Sequence, residues 1–209
     1  MTAAEVDPAD SNSDSDTRAR RRTRLRNEAQ DIALELFAER GYEHVTMAEI
    51  AGALDVAERT LFRYFPTKES LLDPAHEELV EQLVTELEAR PPSESAFTAV
   101  RESLRALGDE LNHDQATMVA RTEIINSHPA LQAHMLRRQG ELEDAIAAVV
   151  ANRSGLDPDT DLRPVLFAAT AVCALRVAVE RWVSADTDRD LLSYIEESLD
   201  ALAAGLGDL

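Results

Sequence analysis

The sequence predicts an all-α protein with a small N-terminal head and a larger helical body. Its 209 residues include only seven Gly and eight Pro, whereas the helix-favouring residues Ala, Leu, Glu and Arg are abundant. Apolar residues recur at spacings of three and four, as they do on one face of an α-helix. No stretch alternates polar and apolar residues between turn signals, as a half-buried strand would.

The composition excludes several classes of protein. A single cysteine, Cys173, excludes an internal disulfide and a zinc site built on cysteines, and the five His residues show no metal-ligand spacing. The acidic N-terminus lacks the basic-then-apolar layout of a signal peptide. The longest apolar run, Val165–Val179, is interrupted by Arg176 and is too short to cross a bilayer. We therefore expect a cytoplasmic protein with no membrane partner, no metal and no cofactor.

Charge is distributed unevenly along the chain and divides it into three parts. The net charge of -19 is the total of -5 in residues 1–17, +1 in residues 18–70 and -15 in residues 71–209. The first part is rich in Asp and Ser, which predicts a disordered acidic tail. The acidic body would repel a polyanion. Any contact with nucleic acid must therefore come from residues 18–70, the predicted head.

Local signals place the helices of the head. Apolar residues at helical spacing begin a helix at Arg24, and Gly41 ends it. Thr46 and Glu49 form a capping box that begins a second, short helix. After a break of three residues, a third helix is predicted over Glu58–Phe65.

The remaining helices are longer. Pro66 closes the third helix, and Thr67 begins the next, which is predicted to continue to Arg90 with a kink or restart near Pro74. The body helices that follow are predicted over Ala96–Leu111, Gln115–Asn126, Pro129–Arg153, Asp161–Ser184 and Arg189–Leu206.

Two short helices separated by three residues are typical of a helix-turn-helix, whose second helix enters the major groove of DNA. Leu61 and Phe65, four residues apart, suit packing against the first helix of the pair. Arg59 and Arg63 share a different face, from which guanidinium groups reach guanine edges. Lys68 follows closely, at the start of the next predicted helix, where exposed N–H groups favour a phosphate.

The stretch ELFAERGYEHVTMAEIAGALDVAERTLFRYFPTKESLL (Glu35–Leu72) resembles the DNA-binding domain of the TetR family of transcriptional regulators. The runs LFAERGY, T-x-x-x-I-A, T-L-F-x-Y-F and K-E-x-L-L occur in the family's order, and the similarity covers residues 24–72. The resemblance implies a three-helix DNA-binding head followed by a helical ligand-binding and dimerisation body. It also implies a ligand-responsive repressor as the default, bound to double-stranded operator DNA as a homodimer.

The resemblance also implies roles for individual residues. Thr46 would cap the first helix of the pair beside the DNA backbone, and the Arg18–Arg26 run, with Arg22 and Arg24, would supply a flexible arm to a groove or to phosphates. Base contacts are implied for Glu58, Arg59 and Arg63, and phosphate contacts for Thr60, Tyr64 and Lys68. Two positions depart from the family pattern. Ala57 stands where Ser often caps the recognition helix, which costs about 1 kcal/mol, and Phe62 stands where many members have Tyr.

Each of these residues also has a simpler interpretation. The alternative for Arg59 and Arg63 is a solvated surface position, and the alternative for Tyr64 is packing alone. Lys68 is compatible with an ion pair to a nearby acid, and the arginine run with a solvated start of the first helix.

The last two helices suit a subunit interface. Residues 161–184 are apolar on more than one side, and residues 191–206 carry a stripe of Leu and Ile. In a TetR-like protein these two helices form a four-helix interface between subunits, which explains an over-apolar helix in a soluble chain. A purely intramolecular core is the alternative. Two-fold symmetry predicts an operator that is an inverted repeat.

The effector is specified less clearly. Arg121 and Arg176 are charges on otherwise apolar helices, and a buried Arg needs an anion, either a ligand group or one of Glu123, Glu141 and Glu180. An apolar pocket or the ordinary core is predicted to hold Phe97, Met118, Ile125, Met135 and Phe167. The run Asn126–Ala147 and the helix after it resemble the mycofactocin-system subgroup of regulators, which implies a fatty acyl thioester as effector.

Two other functions compete with a DNA-binding regulator. The sequence contains no nucleotide-binding, zinc-protease or serine-hydrolase motif, so nothing in it supports an enzyme. A helical protein-interaction module that reuses the helix-turn-helix surface is compatible with the acidic total. Affinity that falls steeply with salt would indicate the DNA binder.

Overall fold

The computed structural model describes residues 8–73, 76–111, 115–185, 187 and 189–205. Within these ranges the chain forms helices and connecting loops and contains no strand, which confirms the predicted all-α class. The chain divides into two compact units, Met1–Pro74 and Ala75–Leu209. We refer to these units as the head and the body.

The first helix, α1, spans Pro8–Arg40. It begins well before the predicted start at Arg24 and includes part of the segment predicted to be disordered; residues 1–7 lie outside the described residues. Proline is favoured in the first turn of a helix, where no intrahelical partner is needed for its missing N–H. The arginine run at residues 18–26 lies inside α1, so the prediction of a flexible arm is wrong for these residues.

Glycine ends α1 as predicted. Gly41 has a φ of 83°, a left-handed value that favours glycine, and its N–H donates to the Phe37 carbonyl at 2.9 Å. A 3₁₀ turn at Tyr42–His44 follows. The reversal places Tyr42 against Phe37, with the two rings edge to face and their centroids 5.1 Å apart.

The second helix, α2, spans Met47–Ala53 and begins with the predicted capping box. The Glu49 N–H donates to Thr46 Oγ1 at 3.3 Å, and the Thr46 N–H donates to Glu49 Oε2 at 2.8 Å. Arg40 Nη2 donates to the other carboxylate oxygen of Glu49 at 2.5 Å. The end of α1 is thus tied to the start of α2.

The third helix, α3, spans Glu58–Tyr64. Asp55 forms the break before it with a φ of 55°. Ala57 occupies the N-cap position without a side-chain hydrogen bond, as its sequence predicts. The head core contains two residues of α3 or its C-cap, Leu61 and Phe65, together with Ala29, Ala33, Phe37, Ile50, Leu71 and Leu72.

The long helix predicted over Thr67–Arg90 is divided in the structure. A 3₁₀ turn at Glu69–Leu72 belongs to the head, and helix α4 spans His76–Ala89 in the body. Ser70 Oγ donates to the Thr67 carbonyl at 2.6 Å, and its N–H donates to Thr67 Oγ1 at 3.3 Å. The turn also buries two consecutive leucines, at 0% and 1% exposure. Tight local bonding therefore overrides the helical spacing.

The remaining body helices lie within two residues of their predicted bounds. Proline begins two of them, Asp190 caps the last, and Gly155 ends one in the left-handed conformation with φ of 63°. They are α5 (Ala96–Leu111), α6 (Gln115–Asn126), α7 (Pro129–Ser154), α8 (Arg163–Ser184) and α9 (Leu191–Ala204). No helix among the described residues combines the length and apolar character needed to cross a membrane.

Helix α8 lies at the centre of the body and packs against α7 and α9. Its buried face is largely alanine, at positions 168, 171, 174 and 178, and small side chains allow neighbouring helices to approach closely. The apolar stripe of α9 was predicted to lie between subunits, but Ile195 and Leu199 are buried within the chain and Leu202 packs on the same core. Leu206 lies outside the described residues. The intramolecular alternative is therefore correct for this stripe.

One guanidinium group holds the end of α4. Arg153 Nη1 donates to the carbonyls of Leu87 (3.2 Å) and Arg90 (3.0 Å), and Nη2 donates to that of Pro91 (2.8 Å). The terminal carbonyls of a helix have no intrahelical partner, so a cation from α7 satisfies them. Arg90 itself forms a bidentate pair with Glu94. The C-terminal end of α4 is fixed to α7 and to the loop before α5.

Helices α5 and α9 approach closely at Gly108, and this contact makes substitutions there costly. A Cβ at position 108 would lie 2.5 Å from Ile195 Cδ1, and Ile195 is buried. We expect Gly108→Ala to lower the free energy of unfolding by about 1 kcal/mol, because overpacking outweighs the better helix propensity of Ala. Chemical denaturation provides the measurement.

The matched control is Gly140→Ala in α7, where an added Cβ meets nothing within 4 Å. That variant should be more stable than the wild type by up to about 1 kcal/mol. Ile195→Val removes the clashing methyl and should reduce the cost of Gly108→Ala. Equal effects of the two Ala substitutions would contradict the close approach of α5 and α9.

The Glu49 carboxylate makes the head sensitive to acid. The hydrogen bond from Arg40 and the one from the Thr46 backbone lower the pKa of Glu49 from 4.5 to about 2. Its contribution to stability is therefore complete above pH 4.5 and is lost as the pH falls towards about 2. We expect the stability difference between the wild type and Glu49→Gln to shrink over that interval in denaturation measurements. A difference independent of pH would show that Glu49 has no such role.

Candidate nucleic-acid interface

Helix α3 has one buried and one exposed face. Leu61 and Phe65 are 2% and 1% exposed and hold the helix to the head core. Glu58, Arg59 and Arg63 are exposed. The base-facing residues predicted from the sequence therefore lie on an accessible helix surface, opposite the packing residues. Such a short helix with outward guanidinium groups is suited to a major groove.

Arg63 and Tyr64 interact with each other. The Arg63 guanidinium lies over the Tyr64 ring, 5.0 Å from its centroid, and Nη2 donates to the Tyr64 hydroxyl at 3.3 Å. Tyr64 is half-buried, which combines the predicted packing role with an accessible hydroxyl. Both side chains are thereby oriented at the end of α3. Stacking on an aromatic face reduces the rotamer freedom that an exposed Arg loses on binding.

The two threonines of the predicted interface occupy different settings. Thr46 is exposed, and its hydroxyl is engaged in the capping box at 2.8 Å from Glu49 Oε2. Thr60 is half-buried in the first turn of α3, with its N–H donating to the Ala57 carbonyl at 2.7 Å. Both lie near the N-terminal ends of the paired helices, where backbone N–H groups favour anions.

Lys68 is the N-cap residue of the 3₁₀ turn Glu69–Leu72, and its side chain reaches back to the segment before α2. Its Nζ donates to the carbonyls of Tyr42 (2.7 Å) and Val45 (3.0 Å) and lies 4.0 Å from the centroid of the Tyr42 ring. The Phe37 ring is 5.9 Å away. The phosphate contact or ion pair of Lys68 stays a prediction; in the structure its ammonium group is bound to two carbonyls beside two aromatic rings.

The Tyr42 side chain extends this cluster. It is 4% exposed, and its hydroxyl donates to Glu69 Oε1 at 3.0 Å. Burial, together with the negative charge of Glu69, raises the pKa of Tyr42 above its usual range. The hydroxyl therefore remains a donor at neutral pH. We call Phe37, Tyr42, Lys68 and Glu69 the lysine cluster; sequence reasoning missed it because its members are far apart in the chain.

The predicted arm residues lie on α1. Arg22 and Arg24 are exposed, whereas Arg26 is half-buried with its guanidinium 5.9 Å from the Phe65 ring centroid. Arginine is a good helix former, so the run extends the helix. Arg26 was not predicted as a packing residue, although its position one turn before the buried Ala29 is a signal for it.

Three of the seven candidate effector residues pack on the core of the body. Phe97 and Phe167 contact each other edge to face, with centroids 6.4 Å apart, and Met118 packs on the same cluster. Ile125 and Met135 are half-buried. These positions are compatible with the core interpretation.

The two candidate arginines of the body differ. Arg176 was considered a buried charge but has 42% of its side chain exposed. It pairs with Glu180 at 2.7 Å and contacts Cys173 Sγ at 3.6 Å, so its anion is the internal one. The spacing predicted an apolar helix, but Arg176 lies on the outer face of α8. Arg121 is half-buried on α6.

An open cleft of about 410 Å³ lies between α6 and the C-terminal end of α8. It falls within the volume range of small-molecule sites. None of the seven predicted effector residues lines it. Its walls come from Gln115, Ala116, Val119, Ala120, Glu123, Val183 and Ala185. Small apolar residues at helical spacing along α6 were the signal available in the sequence.

Family models match both halves of the chain. Residues 31–75 match the model of bacterial regulatory proteins of the tetR family, and residues 94–207 match the MftR C-terminal domain. The second match alone covers more than half of the chain, and the first contains α2, α3 and the lysine cluster.

Relatives match along nearly the whole chain. The transcriptional regulator TcmR of Streptomyces glaucescens is 34% identical over 213 residues, covering 97% of this chain and 94% of its own. The putative mycofactocin biosynthesis regulator MftR of Mycobacterium tuberculosis is 30% identical over 197 residues, covering 91% and 95%. These relatives are transcriptional regulators, which excludes the enzyme alternative.

A solved structure shows the same fold. The regulator FadR of Bacillus subtilis, solved in complex with stearoyl-CoA, aligns with a TM-score of 0.59 at 20% identity, covering 86% of this chain and 98% of its own. Together with the family models and the full-length relatives, these similarities lead to one conclusion: the chain belongs to the TetR family of DNA-binding transcriptional regulators.

Proposed function

We propose that the protein binds an inverted-repeat operator as a homodimer and is released from it by a small apolar or acyl-type effector. The observation that carries this proposal is the exposed face of α3, where Arg59 and Arg63 lie opposite the buried Leu61 and Phe65. We expect the regulator to repress transcription when it is bound to the operator. Operator binding also agrees with the cytoplasmic location predicted from the sequence.

We assign base contacts to the exposed side chains of α3. Arg59 and Arg63 reach guanine edges, and Glu58 accepts from cytosine. Thr60 and Tyr64 contact phosphates, and Thr46 lies beside the backbone at the start of α2. Arg22 and Arg24 add cationic contacts from the surface of α1 and not from a flexible arm. The acidic body, which sums to -15, limits nonspecific attraction to DNA.

Lys68 is assigned a positioning role instead of the phosphate contact that the family resemblance implies. Two of its three donors bind carbonyls of the segment that leads into α2, and the ammonium lies against Tyr42. The cation thus connects the turn after α3 with the residues before α2, and so sets the orientation of the paired helices.

Helix α8 supports a homodimer. Its outer face exposes large apolar side chains that the body leaves uncovered, and such a patch on a soluble protein marks an interaction surface. They are Leu162 at the N-cap (74% exposed), Val165 (47%), Leu166 (61%) and Val177 (37%), with Cys173 between them. Helix α9 adds exposed small residues, Ala201 and Ala204, that permit close packing. A two-fold interface on this face leaves the heads as a symmetric pair.

The effector is proposed to bind in the body. The cleft beside α6 supports an apolar ligand, since Glu123 is its only charged wall residue among those described. The match to the MftR C-terminal domain and the stearoyl-CoA bound to the FadR relative support an acyl group. Many cations of the body are already engaged, among them Arg101 with Glu196 and Asp200. We therefore expect the apolar part of the effector to supply most of its affinity.

Effector binding would reach the head through α4. Because Arg153 fixes the C-terminal end of this helix, displacement is expected at its N-terminal end, next to the head in sequence. That displacement would alter the spacing of the two recognition helices. Such coupling requires that the effector bind the two states with different affinity.

The experiment that tests the proposed function is selection of bound sequences from a random duplex pool. We expect an enriched inverted repeat with half-sites about one helical turn apart. Arg63→Ala should weaken binding by about 1–3 kcal/mol and relax base preference at one position in each half-site. Uniform losses on all sequences would contradict a base contact. No enrichment by the wild type would favour the protein-interaction alternative.

The role of Lys68 is testable by salt dependence. Lys68→Met should weaken operator binding while leaving the slope of log affinity against log salt unchanged. A lost phosphate contact would instead reduce the slope by about 0.9 per subunit. Lys68→Arg should not restore affinity, because a planar guanidinium does not replace a compact ammonium between two carbonyls. Rescue by Arg, or a reduced slope in Lys68→Met, would establish the phosphate contact.

The dimer is testable at Leu166. Leu166→Glu should raise the dimer dissociation constant at least about 100-fold, since each dimer buries this side chain twice. Sedimentation velocity would show monomers, with an unchanged circular dichroism spectrum. Leu136 on α7 is similarly exposed, at 67%, so Leu136→Glu serves as the matched control and should remain dimeric. Dissociation of both variants, or of neither, would argue against an α8 interface.

Effector class is tested by comparing one acyl chain in two forms. A long-chain fatty acid and its coenzyme A thioester would be titrated against the protein–operator complex by fluorescence anisotropy. If the apolar part dominates, the two should release DNA at similar concentrations. Release by neither, or binding of an acyl ligand that leaves operator affinity unchanged, would overturn the acyl-type effector.

A further inference from the structure

The recognition helix exposes one large apolar side chain. Phe62 on α3 is 43% exposed, and no other large hydrophobic residue within described residues 20–73 is comparably open to solvent. The family resemblance implies only a missing hydroxyl at this position. In the structure the ring points away from the head core, although α3 already has Leu61 and Phe65 for packing.

Phe62 lies within the cationic face of α3. It is three residues after Arg59, so helix geometry makes these two side chains neighbours on the exposed surface, whereas Arg63, the next residue, is rotated by about 100° around the helix. Arg59 and Arg63 are both exposed. Arg63 is oriented by Tyr64, with its guanidinium 5.0 Å from that ring. An apolar ring therefore lies beside Arg59 on the exposed surface that also carries Arg63.

The complement of this surface must be anionic and must also offer an apolar group. The major groove of DNA meets both conditions, because among base edges only thymine presents a methyl group there. The narrow major groove of RNA does not admit side chains in this way. The mixed character of the α3 surface thus favours DNA that contains thymine over an apolar protein groove.

We propose that Phe62 recognises the 5-methyl group of a thymine in each operator half-site. This inference rests on the proposed use of α3 as the recognition helix. Arg59 and Arg63 would select guanines, and Phe62 would add a preference for thymine next to them. The ring thereby supplies specificity at the position where the family's tyrosine would supply only a phosphate contact.

The test removes the 5-methyl group of individual thymines in the operator. In the selected operator, each thymine would be replaced by deoxyuridine at symmetric positions, which deletes one methyl group without altering base pairing. We expect one position to be sensitive, with affinity lower by about fourfold per half-site and about fifteenfold for both, the equivalent of one buried methylene each. Affinities would be measured at one fixed salt concentration.

Two variants assign the effect to Phe62. In Phe62→Ala, thymine and deoxyuridine should bind equally well at the sensitive position, whereas Arg63→Ala should retain the thymine preference. Because Phe62 lies outside the head core, Phe62→Ala should unfold at the wild-type temperature. Replacing the thymine by cytosine should lower the affinity of the wild type, and replacing that cytosine by 5-methylcytosine should restore part of the loss. In Phe62→Ala, 5-methylcytosine should restore none of it.

The outcomes separate this inference from the proposed function. An enriched operator without a deoxyuridine-sensitive position, or a sensitivity that persists in Phe62→Ala, would overturn the role of Phe62 and leave operator binding intact. Failure to enrich any duplex would overturn both. Loss of sensitivity in Phe62→Ala with retention in Arg63→Ala would establish Phe62 as a specificity residue.

Discussion

A single ammonium group links the two ends of the helix-turn-helix. Lys68, the only lysine in the chain, bonds to the carbonyls of Tyr42 and Val45 immediately before α2, while its own backbone follows α3. The Tyr42 ring shields the cation, and the Tyr42 hydroxyl bonds to Glu69. A partly buried cation is costly unless its donors are satisfied, so this lysine specifies one arrangement of the segments. The orientation of the recognition helix depends on that arrangement.

The rest of the head is built around the same constraint by short-range bonds. Gly41 reverses the chain after α1, and the capping box at Thr46 and Glu49 begins α2 within a few residues of the carbonyls that Lys68 binds. The ion pair between Arg40 and Glu49 connects the end of α1 to the start of α2. Because α2 is held at its start and α3 is packed through Leu61, the residues on the outer face of α3 are not required for the stability of the head. That face is left for guanidinium groups and one aromatic ring.

The helices of the body must form a stable core and must also permit a conformational change when an effector binds. Alanines on α8 allow close packing on one side, while Val165, Leu166 and Val177 are exposed on the other. Arg153 secures only the end of α4 that is distant in sequence from the head. An anchored end is a property expected of an element that transmits a ligand-dependent shift. The acidic charge of the body would oppose DNA contacts outside the head.

Local chemistry determined much of this protein from the sequence alone: the helical class, the body helices, the capping box and the family. These features rest on residues three or four positions apart, so their geometry follows from the helix itself. Tertiary structure decided the partners of Lys68, the outward position of Arg176, the use of the α9 stripe within the chain and the division of the predicted Thr67–Arg90 helix. Tyr42 and Lys68 are 26 residues apart, and no local pattern shows which carbonyls a distant cation will meet. Burial likewise depends on how the helices pack together. Residue spacing therefore identified the apolar faces of α8 and α9, but it did not show which parts of the protein would cover those faces.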